Sequence, residues 1–309
     1  MRVISLFSGA GGMDLGFTQA GHDIVWANDI FADAVESYRR NLGDRIHLGS
    51  IEDCSPDVSA DIVIGGFPCQ GFSVANWNRN SADSRNQLYR QMLRVIKEVR
   101  PIFFVAENVK GILNLEGGRI FRLILREMRE LGYEVRYALL NAADFGVPQR
   151  RHRVFIVGKL EGSSATWSFP PHPTHSRPEL SQLLGLKPWV SVGEALAQLP
   201  EPGGSNGLAN HEYASRYKLR FNGHLGHRVV DATRPAPTIT ARGDDRGGVV
   251  VIHHPSNERR ITPREAATIQ GFPLDFEFVG TNTSVYRQVA NAVPPPLARA
   301  VAECLTPTR

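Results

Sequence analysis

The chain has 309 residues, of which 42% are hydrophobic and 21% are charged, and this composition excludes wholesale disorder. No apolar run approaches the roughly 18 residues of a membrane helix, and the first residues lack the pattern of a signal peptide. We therefore expect a cytoplasmic protein without a membrane partner. The net charge of +4 is compatible with a polyanionic partner but does not establish one.

Short apolar runs alternate with helix-like stretches over the first 158 residues. The runs predict six buried strands, at Val3–Leu6, Ile24–Ala27, Asp61–Ile64, Ile102–Ala106, Val135–Leu140 and Val154–Val157. Helical periodicity between them is clearest at Gln87–Val99 and Arg119–Leu131. This alternation predicts an α/β fold, with a doubly wound, mostly parallel sheet covered by helices on both faces.

The character of the chain changes after this region. From Lys159 to about Thr233 it is rich in proline, glycine, serine and histidine, which predicts a smaller, loop-rich domain. Further on, Thr262-Pro263-Arg264-Glu265 has the residues of a capped helix start, and a last helix is expected over Pro296–Cys304.

A glycine-rich turn, Phe7-Ser8-Gly9-Ala10-Gly11-Gly12, follows the first predicted strand. Glycines let the backbone approach a ligand closely, and the next helix offers its amide groups. The dinucleotide fingerprint is absent, because Asp14 occupies the position three after Gly11. Asp29 ends the second strand, where a carboxylate can accept hydrogen bonds from ribose. The turn alone is often structural, but with Asp29 it favours a nucleoside without a pyrophosphate.

Three cysteines are too few and too widely spaced to predict a disulfide framework or a zinc site. Cys54 and Cys304 are expected to be small buried hydrophobes. Cys69 differs, because it follows a predicted parallel strand at the edge where open α/β sheets bind ligands. Proline and glycine fix its backbone in a polar loop, which makes it the candidate nucleophile.

The segment Gly66-Phe67-Pro68-Cys69-Gln70 resembles the catalytic motif of the cytosine-C5 DNA methyltransferase family. Further blocks stand in family order and span nearly the whole chain, apart from about Lys159–Thr233. They are Phe7-x-Gly9-x-Gly11, Asp83-Ser84-Arg85-x-x-Leu88, Glu107-Asn108-Val109, Gln149-x-Arg151-x-Arg153, Arg234-Pro235-x-Pro237-Thr238 and Asn291-Ala292-Val293-Pro294. The resemblance implies a Rossmann-like fold, S-adenosylmethionine as methyl donor, S-adenosylhomocysteine as product, duplex DNA as substrate and no metal.

The chemistry of cytosine explains these residue types. C5 is a poor nucleophile, and addition of the Cys69 thiolate to C6 makes it reactive. The resemblance implies that Glu107 holds N3, that Arg151 anchors O2 and that Arg153 supports the catalytic loop. Because alternate strand residues share a face, we expect both arginines on one side. If the resemblance is set aside, the plainer interpretation of Glu107 is a surface carboxylate, and that of Arg151 and Arg153 is a solvated basic patch.

The resemblance also implies a cofactor pocket, with Phe7 against the adenine and Asp29 on the ribose. Asp29 stands where the family more often has Glu. Ser50 stands where an Asp commonly contacts the adenine amine, so we expect cofactor binding weaker by about 1 kcal/mol. The predicted pocket residues are Phe7, Gly9, Ala10, Gly11, Gly12, Asp29, Ile30, Ser50, Ile51, Pro68, Leu88, Asn291 and Val293.

Because a base inside a duplex is out of reach, the target cytosine has to be flipped out. In the family the segment after the nucleophile, here about Gln70 to Asn86, closes on the base. Basic and aromatic residues interleave in His211–Arg228 and suit DNA contacts, although a solvated face around core aromatics is the plainer interpretation. His172 and His175 are expected to be loop residues. The predicted DNA-binding residues are Gln70, Ser73, Arg85, Arg216, Lys218, Arg220, Arg228 and Arg242.

In the family the block at Asn291–Pro294 packs beside the first block. We therefore expect a catalytic and cofactor-binding domain of residues 1–158 and 259–309, and a target-recognition domain of residues 159–258. The expected enzyme makes 5-methylcytosine in DNA and is the modifying half of a restriction–modification pair, with a separate cognate endonuclease. Alternatives that share these blocks are a tRNA cytosine-C5 methyltransferase and an inactive DNA-binding relative.

Overall fold

The computed structural model describes residues 1–68, 88–203, 207–212, 228–240 and 252–307. Seven strands form the central sheet, and their bounds are β1 Arg2–Leu6, β2 Asp23–Asp29, β3 Ile46–Leu48, β4 Ile62–Gly65, β5 Phe103–Val109, β6 Tyr133–Asn141 and β8 His152–Leu160. Their order across the sheet is β3-β2-β1-β4-β5-β8-β6. A short strand, β7 at Gln149–Arg150, precedes β8.

The sheet is mostly parallel, as predicted. Strands β1 to β5 run in one direction, and β8 lies antiparallel between β5 and β6. The carboxyl ends of β1, β2, β4 and β5 therefore meet at one edge, where ligands bind in sheets of this kind. The β5–β8 register places Val109 opposite Arg153 at this edge.

Helices cover both faces of the sheet, which confirms the doubly wound α/β class. Their bounds are α1 Gly12–Gln19, α2 Ala32–Leu42, α3 Leu88–Val99, α4 Arg119–Glu130, α5 Pro178–Leu184, α6 Val192–Leu196, α7 Pro263–Ile269, α8 Asn282–Asn291 and α9 Pro295–Ala302. Alternate strand residues feed two cores: Val3 packs with α1 and α9, whereas Ile4 packs with α3 and α4. Successive residues of a strand point to opposite faces of the sheet, and both faces are buried here. Most positions in such a strand are therefore apolar, and the strand appears in the sequence as a continuous apolar run.

The helix start predicted at Thr262 is present. The Thr262 hydroxyl accepts from the Glu265 amide at 3.1 Å, and the Glu265 carboxylate accepts from the Thr262 amide at 2.7 Å. This reciprocal capping box satisfies two backbone donors that the first turn of α7 leaves unpaired.

Several segments predicted to lie in the small domain pack on the catalytic core. Val192 and Ile239 belong to a third apolar cluster together with residues of α7 and α8. The remaining short strands pair as β9 Thr166–Trp167 with β15 Leu305–Thr306, β10 His175–Ser176 with β11 Lys187–Pro188, β12 Arg228–Val229 with β14 Ile252–His253, and β13 Ala236–Pro237 with β7. The division into two domains therefore stays a prediction.

No helix within the described ranges is both long and apolar enough to span a membrane.

Candidate active site

A cavity of about 590 Å³ opens at the carboxyl edge of the sheet. It falls within the usual size range of cofactor sites. One end is formed by the turn after β1 and the end of β2, and the other by the end of β5 and the start of β8. All predicted pocket residues except Gly11 and Gly12 line it, namely Phe7, Gly9, Ala10, Asp29, Ile30, Ser50, Ile51, Pro68, Leu88, Asn291 and Val293.

The glycines of the turn differ in what surrounds them: Gly9 has open space beside it, whereas Gly11 and Gly12 pack against other elements. Gly9 has φ +56° and open space where a Cβ would lie, so its backbone faces the cavity. A Cβ at Gly11 would meet Leu42 and Tyr38 of α2, and a Cβ at Gly12 would meet the carbonyl of Val293. Gly11 and Gly12 are not among the residues that line the cavity, and a Cβ at either would point towards neighbouring elements, so their role in cofactor binding stays a prediction.

Asp29 fastens the turn to the end of β2. Its Oδ2 accepts a hydrogen bond from the Gly9 amide and its Oδ1 accepts one from the Phe31 amide, both at 2.8 Å. Burial raises the pKa of this carboxyl, and the backbone donors oppose that rise. The role predicted from sequence was a ribose contact; the structure adds that Asp29 sets the shape of the turn.

An enclosed ion pair occupies the other end of the cavity. Arg153 Nε donates to Glu107 Oε1 at 2.8 Å, and the two side chains are only 12% and 11% exposed. Burial raises the pKa of Glu107, and the charges of Arg153 and Arg151 oppose that rise. The interpretation of Glu107 as a solvated surface carboxylate does not fit this environment.

Arg151 does not lie where the sequence predicts. Its side chain is completely buried and absent from the cavity wall. Its guanidinium donates to the carbonyls of Ile239 at 2.9 Å, Ala290 at 2.6 Å and Ala292 at 3.1 Å. The chain leaves strand geometry at residue 151, between β7 and β8, so the alternation that would place both arginines on one face does not apply.

Two glutamines extend the contacts of Arg151. Gln149 Oε1 accepts from the Ile239 amide at 3.0 Å, and Gln149 Nε2 donates to Gln270. Gln270 Nε2 donates to the Ala292 carbonyl at 2.6 Å. Gln149 stands in a quoted family block, but sequence reasoning gave it no role. The network joins residue 239 to the segment around residue 292, which lines the cavity.

Asn108 holds the segment that leads to residue 69. Its Nδ2 donates to the Phe67 carbonyl at 2.9 Å, and its Oδ1 accepts from the Val109 amide. Pro68, the last described residue before Cys69, lines the cavity. This segment therefore lies beside Glu107 at the edge of the site.

Other cavity residues were not predicted from the sequence. Asp14 entered only as an argument against a dinucleotide, and Arg287, on α8, belongs to none of the family blocks. The Arg287 guanidinium lies 4.8 Å from the centre of the Phe31 ring. Both residues line the cavity.

Several predicted residues lie outside the described part of the chain, so the structure says nothing about them. They are Cys69, Gln70, Ser73, Arg85, Arg216, Lys218, Arg220 and Arg242. Of Arg228 only the backbone, in β12, is described. Among the residues that are described, no group of three or more His, Cys, Asp or Glu side chains could hold a metal ion.

The sheet order and the cavity at its carboxyl edge define an α/β protein of the methyltransferase type. A model of the C-5 cytosine-specific DNA methylase family matches residues 1–306. The chain belongs to this family, and its activity is that of a DNA cytosine-5-methyltransferase.

Relatives are similar over most of their length. Type II methyltransferase M.NgoFVII of Neisseria gonorrhoeae is 39% identical, over 95% of this chain and 83% of that protein. Type II methyltransferase M.MthTI of Methanothermobacter thermautotrophicus is 37% identical, over 98% and 96%. A DNA modification methyltransferase encoded within a prophage of E. coli has a TM-score of 0.75 at 26% identity and covers 98% of this chain and 97% of its own. The S. pombe Dnmt2 methyltransferase, at 21% identity and a TM-score of 0.69 over 97% and 96%, shares the fold.

Proposed function

We propose that the protein transfers the methyl group of S-adenosylmethionine to C5 of a cytosine flipped out of a specific duplex DNA sequence, through a covalent bond between Cys69 and C6. The product is S-adenosylhomocysteine. The observation that carries this proposal is one cavity that joins the glycine turn and Asp29 to the Glu107–Arg153 ion pair.

The cofactor end of the cavity fits a nucleoside with an amino-acid tail. Gly9 leaves room for close approach, Phe7 offers an aromatic face, and Asp29 offers carboxylate lone pairs at the end of β2. Ile30 is 72% exposed at the rim, as expected for an apolar side chain that a bound adenine would cover. S-adenosylmethionine supplies an electrophilic methyl group on a sulfonium.

At the base end, Glu107 and Arg153 share the recognition of cytosine. A protonated Glu107 donates to N3 and accepts from the exocyclic amine, and burial favours this protonated form. Arg153, the arginine that faces the cavity, takes the contact with O2 that the sequence assigned to Arg151. Arg151 becomes a positioning residue that holds the segment around residue 292.

The proposed reaction has three steps. The thiolate of Cys69 forms the bond to C6, and the charge that reaches N3 is neutralised by the proton of Glu107. C5 then attacks the methyl group, whose bond to the sulfonium sulfur would break and leave S-adenosylhomocysteine. Loss of the C5 proton to a base restores the C5–C6 double bond, expels the thiolate and returns the proton of N3 to Glu107.

The biological setting follows from the relatives that this chain resembles, which are named Type II methyltransferases. We infer that the enzyme is cytoplasmic and protects DNA from a separate cognate endonuclease. Residues 1–158 and 259–309 would form the catalytic domain and residues 159–258 the target-recognition domain. The DNA-contacting roles of Gln70, Ser73, Arg85, Arg216, Lys218, Arg220, Arg228 and Arg242 belong to the same proposal.

Bisulfite sequencing of plasmid DNA from cells that express the protein tests this function. We expect one methylated cytosine within a short recurrent sequence, and no methylation with Cys69→Ser. Methyl incorporation into duplex DNA and into tRNA is compared in parallel with purified protein. Preferential incorporation into tRNA would favour the tRNA enzyme, and absence of both would favour an inactive relative.

A further inference from the structure

Asp14 is a completely buried carboxylate in the first turn of α1, directly behind the glycine turn. Its Oδ2 accepts a hydrogen bond from Ser5 Oγ at 2.9 Å, and its Oδ1 accepts one from Tyr38 Oη at 3.0 Å. Both donors are neutral hydroxyls. Within the described part of the chain, the groups that act on the charge of Asp14 include no cation.

A buried charge without a counter-charge is unfavourable. The groups around Asp14 therefore indicate whether a bound ligand has to supply the missing positive charge. Burial raises the pKa of Asp14 to about 6, and the Ser5 and Tyr38 hydroxyls limit that rise. Both carboxylate oxygens accept hydrogen bonds from hydroxyls, and these bonds stabilise the ionised form. Another described charge that acts on it, Asp29, has the same sign and raises its pKa further.

The groups packed around Asp14 leave this end of the cavity negative. β1 contributes the neutral Ser5, β2 contributes Asp29 and α2 contributes Tyr38. On α8, Arg287 acts on Asp29 but lies at the exposed rim, with its guanidinium over Phe31. At the far end, by contrast, Glu107 is neutralised by Arg153.

A cavity with this charge distribution favours a cationic ligand. Asp14 and Asp29 both line it, and neither forms an ion pair with a buried cation among the described residues. The methyl donor and its product differ in this respect: S-adenosylmethionine carries one more positive charge, on its sulfur, than S-adenosylhomocysteine. A fixed carboxylate in a low-dielectric wall interacts with that charge more strongly than it would in water.

We propose that Asp14 is the specificity-determining residue by which the enzyme binds S-adenosylmethionine in preference to S-adenosylhomocysteine. This inference rests on the proposed function, because it requires that pair as cofactor and product. Methyl transfer removes the charge that Asp14 stabilises, so the product loses this contribution to its binding. Asp14 therefore promotes product release and limits product inhibition.

Calorimetric titration of the full-length protein with each ligand separately tests the inference. In Asp14→Asn, which keeps the size of the side chain but replaces one acceptor oxygen with an amide donor, we expect the affinity for S-adenosylmethionine to fall about tenfold. The affinity for S-adenosylhomocysteine should change less than about twofold. Asp23→Asn is the control, since Asp23 lies at the opposite end of β2 and is exposed beside Arg45; it should change neither affinity.

A pH series separates charge from shape. In the wild type, the ratio of the two affinities should fall as the pH drops below about 6, where Asp14 takes up a proton. In Asp14→Asn the ratio should lose this part of its pH dependence. Tyr38→Phe removes one donor to the carboxylate while leaving the carboxylate in place, so the fall should begin at higher pH.

The outcomes are distinct. If Asp14→Asn loses affinity for both ligands equally, so that the ratio of the two affinities is unchanged, Asp14 has a purely structural role and the inference is overturned. If Asp14→Asn does not fold, the Tyr38→Phe variant tests the inference instead. The inference is then overturned if the affinity ratio of Tyr38→Phe has the same pH dependence as that of the wild type. A wild-type protein that binds neither ligand would overturn the proposed function as well, whereas binding of both with an unchanged ratio in Asp14→Asn leaves that function standing.

Discussion

Arg153 and Glu107 face each other across neighbouring antiparallel strands, with the guanidinium Nε 2.8 Å from the carboxylate Oε1 and both side chains almost fully enclosed. Glu107 precedes Val109 by two residues on β5, and Val109 pairs with Arg153 on β8. The two side chains therefore project from the same face at the rim of one cavity. This pair lines the cavity, whereas Arg151 does not.

The two arginines are expected to differ in what their removal changes. Arg153→Ala should lower kcat/KM for DNA methylation about a hundredfold or more, because a donor aimed at the base is lost. Its unfolding temperature should fall less than that of Arg151→Ala, because Glu107 borders the cavity and can take up a proton there when its partner is lost. Methyl incorporation and thermal unfolding, measured on the same preparations, report the two effects separately.

Arg151→Ala should instead lower the free energy of unfolding by about 3 kcal/mol, because three buried carbonyls lose their donor. Urea denaturation measures this loss. A stable but inactive Arg151→Ala, together with an unstable Arg153→Ala, would reverse the assignment.

Asp14→Asn should make the protein more stable at neutral pH. The unfolded carboxyl titrates near 3.8 and the folded one near about 6, so the folded state loses stability as pH rises between these values. The total loss is about 3 kcal/mol, which the amide avoids. Urea denaturation of both proteins should show a gap that opens above pH about 4 and is complete above about 6. An Asn variant that is less stable than the wild type at neutral pH contradicts this account.

The glycine turn offers a pair of matched substitutions. Gly12→Ala should lower the free energy of unfolding by about 2 kcal/mol, because the new methyl group meets the Val293 carbonyl and pushes α1 away from the start of α9. Gly9→Ala has open space but a left-handed φ, so it should cost about 1 kcal/mol of stability and weaken cofactor binding. Equal effects of both on cofactor affinity alone would mean that Gly12 faces the ligand after all.

Lys110 and Arg150 are exposed cations beside the end of the cavity that Glu107 and Arg153 line. The register that pairs Val109 with Arg153 brings Lys110 next to His152. Burial lowers the pKa of that histidine, and the charges of Lys110 and Arg150 lower it further. Among the described residues neither cation forms a salt bridge, which suits contact with phosphates. Lys110→Gln and Arg150→Gln should each weaken DNA binding and reduce its salt dependence by about one phosphate contact.

Fluorescence anisotropy at several salt concentrations measures this change. The control is Arg126→Gln on α4, an exposed arginine that pairs with Glu130. An unchanged salt slope in both cavity-edge variants would remove Lys110 and Arg150 from the DNA surface, while cofactor affinity should be unaltered in all three.

Burial on both faces is the reason why the sheet could be predicted from the sequence. Strands such as β4 and β5 are flanked by helices on each side, so their apolar runs stand out. The capped start of α7 was equally clear, because Thr262 and Glu265 satisfy backbone donors locally. The antiparallel placement of β8 was not predictable, since strand direction leaves no local signal.

The sequence predicted which residues line the cavity more accurately than it predicted how their side chains are arranged. Family blocks located Glu107 and Asn291, and the end of the second predicted strand located Asp29. All three residues line the cavity. They misplaced Arg151, because strand alternation was applied across a break in the strand. Asp14 was overlooked because its burial arises from Ser5 and Tyr38, which are distant in sequence, so no local pattern reveals it.

Mass spectrometry of a trapped complex tests the central claim most directly. Protein, S-adenosylmethionine and a duplex with 5-fluorocytosine at the target base are mixed, and the denatured product is digested. The account predicts that DNA bearing an added methyl group is bonded to the peptide that contains Cys69, and that Cys69→Ser gives no such product. An active enzyme that yields no covalent product, or one bonded through Cys54 or Cys304, would contradict it.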